Sequence, residues 1–303
     1  MVYKVKDSYV NSFGPSMKPI IKVKSGSAVT LHTLDCFSNQ IKDESTLVTE
    51  IDFSKINPAT GPIFVENSKR GDALKVRILD IEVADRGVVA VIPGGGVLGS
   101  MVKKPVTRIC PIKDGYAMLN GVKIKCIPMI GVIGVAGDED VSCGVPGRHG
   151  GNMDTNLIRK GAILYLPVFR DGALFALGDL HAVMSDGEVC VTGCEVSGKV
   201  TVELDVIKNL APSWPVLEFG ENYYLLVSHE DINKAFREGI KLAVKILEHS
   251  LGISWEDAYM LASLVVDLEI SQVVDPKKTV RIKIPKKYVK IEQLLEAIRM
   301  QIS

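Results

Sequence analysis

The chain has 303 residues, of which 47% are hydrophobic and 24% are charged, and its 36 Lys and Arg residues balance its 36 Asp and Glu residues. A chain of this length and composition can bury a substantial core, which excludes the disordered and fibrous classes. Nucleic-acid binding draws on an excess of Lys and Arg, so zero net charge gives no indication of a DNA or RNA partner.

The sequence also gives no sign of a membrane or secretory segment. Its most apolar stretch, residues 258–266, is bounded by Asp257 and Asp267 and is shorter than the roughly 20 residues of a membrane span. Charged residues occupy positions 4, 6 and 7, where a signal peptide carries apolar ones. The six cysteines contain no C-x-x-C pair. We therefore expect a reduced, cytoplasmic protein without a membrane partner.

From the N-terminus to about residue 227, short apolar runs broken by Gly and Pro predict strands. Residues 73–81 and 200–206 alternate apolar and polar side chains, and residues 88–92 form a short buried run. Asn120-Gly121 and Asp171-Gly172 are turn signals between such runs. This pattern predicts a mainly β fold, a β-sandwich or barrel.

After residue 228 the pattern changes to helical. Apolar residues recur at three- and four-residue steps over 232–247, with Gly252 placed to end that helix. Ser254 predicts the start of a second helix, whose apolar face would extend over 261–268. A strand at 280–284 and a helix from about 291 complete the chain. We expect a β-rich catalytic region at 1–227 and a helical, α+β C-terminal segment at 228–303 packed on it as one integrated domain.

Acids and histidines concentrate in residues 141–195, namely at His149, Asp154, Asp179, His181, Asp186, Glu188 and Glu195. In an extended chain, residues two apart face the same side, so Asp179 can converge with His181 and Asp186 with Glu188. Carboxylates and imidazole at this spacing can hold a divalent metal. The alternative is that Gly178-Asp179 and Asp186-Gly187 are hairpin turns, where Asp is favoured because it bonds the local backbone.

A second candidate locus begins at His32 and includes Asp35 and Cys36. His32 taken alone fits a hydrogen-bonded core residue. Asp35 lies between apolar neighbours, and burying an unpaired carboxylate is costly. It is therefore either exposed on a loop or paired with a cation, a donor or a metal.

Several motifs carry a family resemblance. They are NPATGPIFVE at 57–66, PGGGVLG at 93–99, GGNMD at 150–154, LPV at 166–168, GALFALGDLHA at 172–182 and SDGEV at 185–189. With these motifs in this order, the sequence resembles the acetamidase/formamidase family, hydrolases of small acyclic amides. Many members have Gly where Ser185 stands here. The resemblance implies a mostly β fold, hydrolysis of formamide- or acetamide-like substrates to ammonia and a carboxylate, and a homodimer or higher homo-oligomer.

The small size of the expected substrate indicates what kind of mechanism is needed. A small neutral amide offers little remote binding energy, so catalysis must be concentrated at its carbonyl, as a divalent metal allows. We expect Asp35, Asp179 and His181 to hold the metal and its water. Zinc is favoured if His181 is a ligand, whereas a cage of carboxylates alone would favour calcium or magnesium.

Proton transfer and substrate orientation are assigned to acids and an amide side chain in the same motifs. We expect Glu66 or Glu188 to move the proton, and Asn152 and Asp154 to orient the substrate NH2 group. Two alternatives stay open. One is a cysteine nucleophile, Cys143, with a thiol pKa lowered by a nearby cation. The other is a non-catalytic β-sandwich module that binds carbohydrate, although only 6% of the chain is aromatic.

Overall fold

The computed structural model describes residues 2–301 and consists mainly of strands. The strands are β1 (Val2–Val5), β2 (Tyr9–Val10), β3 (Ser12–Phe13), β4 (Ile21–Val23), β5 (Ser27–Thr33), β6 (Ala59–Val65), β7 (Ala73–Val83), β8 (Arg86–Val91), β9 (Val106–Lys113), β10 (Tyr116–Leu119), β11 (Val122–Lys125), β12 (Met129–Gly134), β13 (Val141–Ser142), β14 (Gly150–Asn152), β15 (Ile163–Pro167), β16 (Phe175–His181), β17 (Glu195–Val196), β18 (Gly198–Ile207), β19 (Val216–Phe219), β20 (Asn222–His229), β21 (Asp267–Gln272) and β22 (Lys278–Pro285). The helices are α1 (Ile232–Leu251), α2 (Trp255–Val265) and α3 (Ile291–Ala297). Short 3-10 turns cover Val48–Glu50, Phe53–Lys55, Gly99–Met101 and Lys286–Tyr288.

Most strands belong to two large sheets. The first has nine strands in the order β1-β5-β18-β7-β15-β19-β20-β22-β21. The second has eleven strands, eight of them along the path β11-β10-β9-β8-β17-β16-β12-β14, with β6 joining β16 to β2 and β4. Pairing is antiparallel except between β1 and β5 and between β4 and β6 in the part of the chain that is described.

The core lies between these two sheets. Leu74, Val76 and Val202 of the first sheet share one buried cluster with Ile133 and Leu180 of the second. Strand alternation explains this cluster, because every second residue of β7 and β18 faces inward. The predicted mainly β, sandwich-like fold is confirmed.

The C-terminal segment continues the nine-stranded sheet and covers it with α1. Asp231 caps the start of α1 by accepting from the Asn233 N–H at 2.8 Å, and Gly252 ends it in the left-handed region at φ +65°. Val244 of α1 packs in one apolar cluster with Val227 and Ile282 of the sheet. The boundary predicted at 227/228 falls inside β20, so the sheet crosses it without a linker.

The second helix is shorter than the apolar pattern predicted. Ser254 caps it, as expected, but it ends at Val265, and β21 begins at Asp267. Val266, the extended residue that follows α2, is β-branched and suits this conformation, and pairing with β22 gives β21 its strand partner. None of the helices in residues 2–301 is both long enough and apolar enough to cross a bilayer.

Candidate active site

The acidic side chains lie at one end of four neighbouring strands of the second sheet. β17, β16, β12 and β14 are neighbours there, so side chains near their ends meet. Asp179 and His181 lie in β16, Glu195 begins β17, and Asp154 follows β14 by two residues. Glu188 comes from the turn after β16. We refer to these four carboxylates and Asp275, from the loop between β21 and β22, as the acidic cluster.

The imidazole of His181 is the centre of this cluster. Its Nε2 lies 3.1 Å from Glu195 Oε2 and 3.3 Å from Asp179 Oδ1. Asp154 Oδ1 and Glu188 Oε1 lie farther out, at 3.8 and 3.9 Å. His181, Asp154, Asp179 and Glu195 are at most 2% exposed, so one imidazole faces several carboxylates with almost no water between them.

Several of these buried atoms lack an aligned hydrogen-bond partner among residues 2–301. They are Asn152 Oδ1, Asp154 Oδ1, Asp179 Oδ1, His181 Nδ1 and Glu195 Oε2. A buried polar atom left without a partner normally costs about 1–3 kcal/mol. A group of them around one point is therefore typical of a place that receives a ligand or an ion.

The backbone is strained where it delivers these carboxylates. Asp154, Asp179 and Glu188 have φ of +36°, +53° and +46°, a region that residues other than glycine rarely adopt. Such conformations persist only where the surrounding structure enforces them, and they cluster at functional sites.

Two glycines let the side chains approach this closely. A Cβ on Gly131 would collide with Asp154 Oδ1 and lie 2.8 Å from Asp179 Oδ2. A Cβ on Gly193 would lie 2.6 Å from His181 Nδ1. The Gly193 N–H also donates to Glu195 Oε1 at 2.8 Å, which leaves Oε2 of the same carboxylate facing His181.

Burial and repulsion between carboxylates shift the pKa values of Asp154, Glu188, Glu195 and Asp275. Burial, followed by neighbouring carboxylates, raises the pKa of Asp154 and Asp275 well above the usual value. Burial, opposed by His181, also raises the pKa of Glu188 well above its usual value and that of Glu195 to about 7. Burial disfavours charge on His181, but Glu195 and Asp179 together raise its pKa well above the usual value.

The cluster opens into a cavity of about 350 Å³. Asn152, Asp154, Asp179, His181, Glu188, Glu195 and Asp275 line one part of it. Asn152 Nδ2 donates to Asp275 Oδ2 at 3.0 Å, so the C-terminal segment supplies part of the wall. The cavity is large enough for a small organic molecule to reach the acidic cluster.

The structure brings together five of the seven residues proposed from the sequence, namely Asn152, Asp154, Asp179, His181 and Glu188. Asp179 is part of a strand and does not form the hairpin turn considered as an alternative. Asp186 does occupy a turn, where its carboxylate accepts from Arg281 at 2.6 and 2.7 Å.

Asp35 is not among the cavity-lining residues. It is 4% exposed, but its carboxylate accepts from the Asn39 N–H at 2.6 Å within its own loop. The pKa of Asp35 is raised by burial, with these backbone bonds opposing. Its neighbour Cys36, in the turn over residues 36–39, instead has its thiol at the cluster, close to Asp179 and Glu195.

Glu66 lies outside the cavity as well. It follows β6, whose other end pairs with the site: Ala59 is opposite Gly178, next to Asp179. The seven residues of β6 span roughly 20 Å at the usual strand rise, so Glu66 is at the far end of this strand. Of the two predicted proton carriers, only Glu188 reaches the cavity.

The predicted alternative nucleophile, Cys143, is not itself among the cavity-lining residues, although its neighbours Ser142 and Gly144 are. Cys143 is fully buried, and burial raises the pKa of its thiol to about 12. Its Sγ donates to the Val10 carbonyl at 3.5 Å. A neutral, buried thiol is a poor nucleophile, so the surroundings of Cys143 favour a packing role.

Three residues of the site were not assigned a role from the sequence: Cys36, Glu195 and Asp275. Cys36 and Glu195 lay within the segments singled out for their acids. Asp275 had no such signal, because it lies in a short loop of the C-terminal segment, 123 residues from its partner Asn152.

Comparisons with known proteins identify the family of this chain. The description of the acetamidase/formamidase family matches residues 2–145 and 139–290. The chain belongs to the acetamidase/formamidase family. Membership places it among hydrolases that act on linear amides.

Solved acetamidase/formamidase structures share the whole fold. An acetamidase from Bacillus halodurans is 39% identical, with 97% of this chain and 99% of that one covered and a TM-score of 0.92. A predicted acetamidase/formamidase from Thermoanaerobacter tengcongensis is 45% identical, with 100% and 99% covered and a TM-score of 0.91. The chain spans 85% of the formamidase of Methylophilus methylotrophus, at 25% identity, and 64% and 66% of two other curated relatives.

Proposed function

We propose that the protein hydrolyses the C–N bond of small neutral linear amides to ammonia and a carboxylate, with a bound divalent metal. The observation that carries this proposal is the convergence of His181 with four buried carboxylates at 3.1–3.9 Å beside a cavity. Family membership and the names of the relatives support the reaction class.

The donor set fits a metal ion. Two groups of side chains each bring their ligand atoms within 4.8 Å of one another: Cys36 with Asp179 and Glu195, and Asp154 with His181 and Glu188. Ligand atoms about 2.0–2.1 Å from a tetrahedral zinc lie about 3.3 Å apart. The separations of His181 Nε2 from Asp179 Oδ1 and Glu195 Oε2, 3.3 and 3.1 Å, agree with this spacing.

We therefore propose Asp179, His181 and Glu195 as the residues that would hold the metal, and zinc as the ion. The imidazole favours zinc, because calcium and magnesium prefer oxygen ligands alone. A positive ion would also offset the repulsion among the carboxylates of the acidic cluster. When bound, zinc polarises a carbonyl oxygen and lowers the pKa of its water toward neutrality.

The polar side chains left over would position the amide. The Asn152 side chain donates to Asp275, and its buried Oδ1 has no donor within residues 2–301, so it can accept an N–H of the substrate. Asp154 Oδ1, also without a partner there, can accept the second N–H. Two acceptors side by side favour a primary amide over an ester, which offers no N–H.

Glu188 would carry the proton. It lines the cavity, and its Oε1 lies within 3.9 Å of the imidazole in the acidic cluster. A carboxyl group there can take a proton from the attacking water and pass it to the leaving nitrogen. Without that proton the nitrogen would have to leave as an amide anion.

Metal analysis with an ammonia-release assay tests this proposal. Purified protein should contain about one zinc per chain, lose activity after chelation and regain it when zinc is added. Asp179→Asn and Glu195→Gln should lose both metal and activity. Asp171→Asn, a control at a carboxylate that is 59% exposed and outside the cavity lining, should lose neither. Full activity without metal would exclude metal assistance, and no ammonia from any amide would exclude the reaction.

We also propose that the chain forms a homo-oligomer in a reducing compartment. Tyr259, Met260 and Leu264 of α2 are apolar and 52–81% exposed, and interfaces between copies typically cover such surface. All six cysteines are free thiols. Light scattering should give at least a dimer mass that Leu264→Lys reduces, whereas a monomer at assay concentration would contradict the proposal.

A further inference from the structure

The cavity is larger than the simplest amides require. Acetamide has four heavy atoms, and since a water molecule takes about 30 Å³ in the liquid, acetamide takes on the order of 100 Å³. The cavity holds about 350 Å³. This is within the roughly 300–1,000 Å³ of sites that bury drug-sized ligands. Formamide or acetamide would therefore leave most of it to water.

Beside the acidic cluster, the cavity lining includes an apolar wall. Its side chains come from the segment between β5 and β6, from β8 and from the residue after β8: Phe37, Val48, Phe53, Ile56, Ala90 and Ile92. The lining contains no lysine or arginine among residues 2–301. An acyl chain that ends in a carboxylate would thus meet no positive charge there, whereas a neutral hydrocarbon group would exchange water for apolar contacts.

This apolar wall is built before any ligand arrives. Phe37, Val48 and Ala90 are 5%, 7% and 2% exposed, and Ile41 and Val88 pack with them in a separate apolar cluster. A preformed wall binds a ligand without first having to order itself. Phe53 differs, because it is 50% exposed while still lining the cavity, which places it where a longer acyl group would be covered from solvent.

We propose, as an inference that rests on the proposed function, that the substrate is a primary amide with a neutral apolar acyl group of more than two carbons. A medium-length alkyl chain or a benzene ring fits this description. Its amide group would lie at the acidic cluster and its acyl group on the apolar wall. Water supplies the oxygen of the product: the C–N bond breaks, a C–O bond forms, and R–CO–NH2 with H2O gives R–COOH and NH3.

The test is a series of primary amides assayed for ammonia release by the metal-loaded enzyme. From acetamide to pentanamide, kcat/KM should rise about fourfold for each of the three added methylenes, or roughly 60-fold in all. Benzamide should also be turned over faster than acetamide, and the monoamide of a dicarboxylic acid of similar length should be slower than pentanamide. A series that falls from acetamide onward would overturn the inference while leaving the proposed amidase reaction intact. Turnover of no amide at all would refute both.

A pair of variants ties the preference to the wall. Phe53→Ala removes an exposed ring and should fold normally, and it should lower the pentanamide-to-acetamide ratio of kcat/KM about tenfold. Ile20→Ala, at a side chain that is 46% exposed and outside the lining, should leave the ratio unchanged. An unchanged ratio in Phe53→Ala would count against the wall as the binding surface for the acyl group.

Discussion

A single methyl group added at Gly131 should disable the site without unfolding the protein. Gly131 lies in β12, where its carbonyl accepts from the Met153 N–H at 3.2 Å, so its Cα cannot move away easily. A Cβ there would meet Asp154 Oδ1 and lie 2.8 Å from Asp179 Oδ2. To reach ordinary contact, the Asp179 oxygen must retreat by about 0.6 Å, and Asp154 by more.

Displacements of this size exceed the tolerance of a catalytic site, which is roughly 0.5 Å. A misplacement of about 1 Å can cost on the order of 100-fold. We therefore expect Gly131→Ala to lower kcat/KM for acetamide about 100-fold, or about 2.7 kcal/mol of transition-state stabilisation. The added methyl should cost about 1–3 kcal/mol of folding free energy, since the site is tightly packed.

Ammonia release, bound metal and thermal unfolding should be measured together, because they separate a displaced ligand set from a destabilised fold. Gly137→Ala is the matched control, since its Cβ would have no neighbour closer than 3.5 Å. It should keep kcat/KM within about threefold of wild type, as expected for a change that displaces no catalytic group. If Gly131→Ala is folded, metal-loaded and as active as this control, the packing argument is wrong.

Three further outcomes are expected. Burial lowers the pKa of His149 from 6.5 to about 4, so the free energy of unfolding should fall by about 3 kcal/mol as pH drops between these values. Urea unfolding of His149→Gln should show a smaller loss of stability over the same pH range, and an equal loss would contradict this. In metal-free protein, burial raises the pKa of Glu195 from 4.5 to about 7, so stability should fall as pH rises between these values, and Glu195→Gln should flatten that slope. Cys143→Ala should keep kcat/KM within about twofold; a loss beyond 100-fold would restore the thiol as nucleophile.

The elements that could be predicted from the sequence are those whose burial repeats along one segment. Residues 73–81 and 200–206 alternate because one face of β7 and of β18 lies in the core. The caps of α1 and α2 were equally readable, since Gly252 and Ser254 act on backbone groups next to them. The end of α2 was not readable, because pairing with β22, a contact across the sheet, decides where β21 begins.

The site was predictable to the extent that its residues lie close together in sequence. Asp179 and His181 share a strand face, and their convergence at 3.3 Å follows from that spacing. The choice between Asp35 and Cys36 depended on the conformation of a turn, which binds the Asp35 carboxylate to the Asn39 N–H and leaves Cys36 at the cluster. Glu66 shares a motif with residues near the site, but strand length carries it to the opposite end.

Because Asp275 lies near the C-terminus, the cavity wall is complete only after almost the whole chain has been synthesised. Every other residue of the acidic cluster lies at or before Glu195, whereas Asp275 is held in the loop between β21 and β22. A ribosome-bound chain that has emerged only through β20 would contain the other four carboxylates of the acidic cluster but not Asp275, nor its hydrogen bond to Asn152. Contacts between such distant segments form late. Turnover would thus appear only when the last strand pair is in place, which makes amidase activity a direct reporter of completed folding.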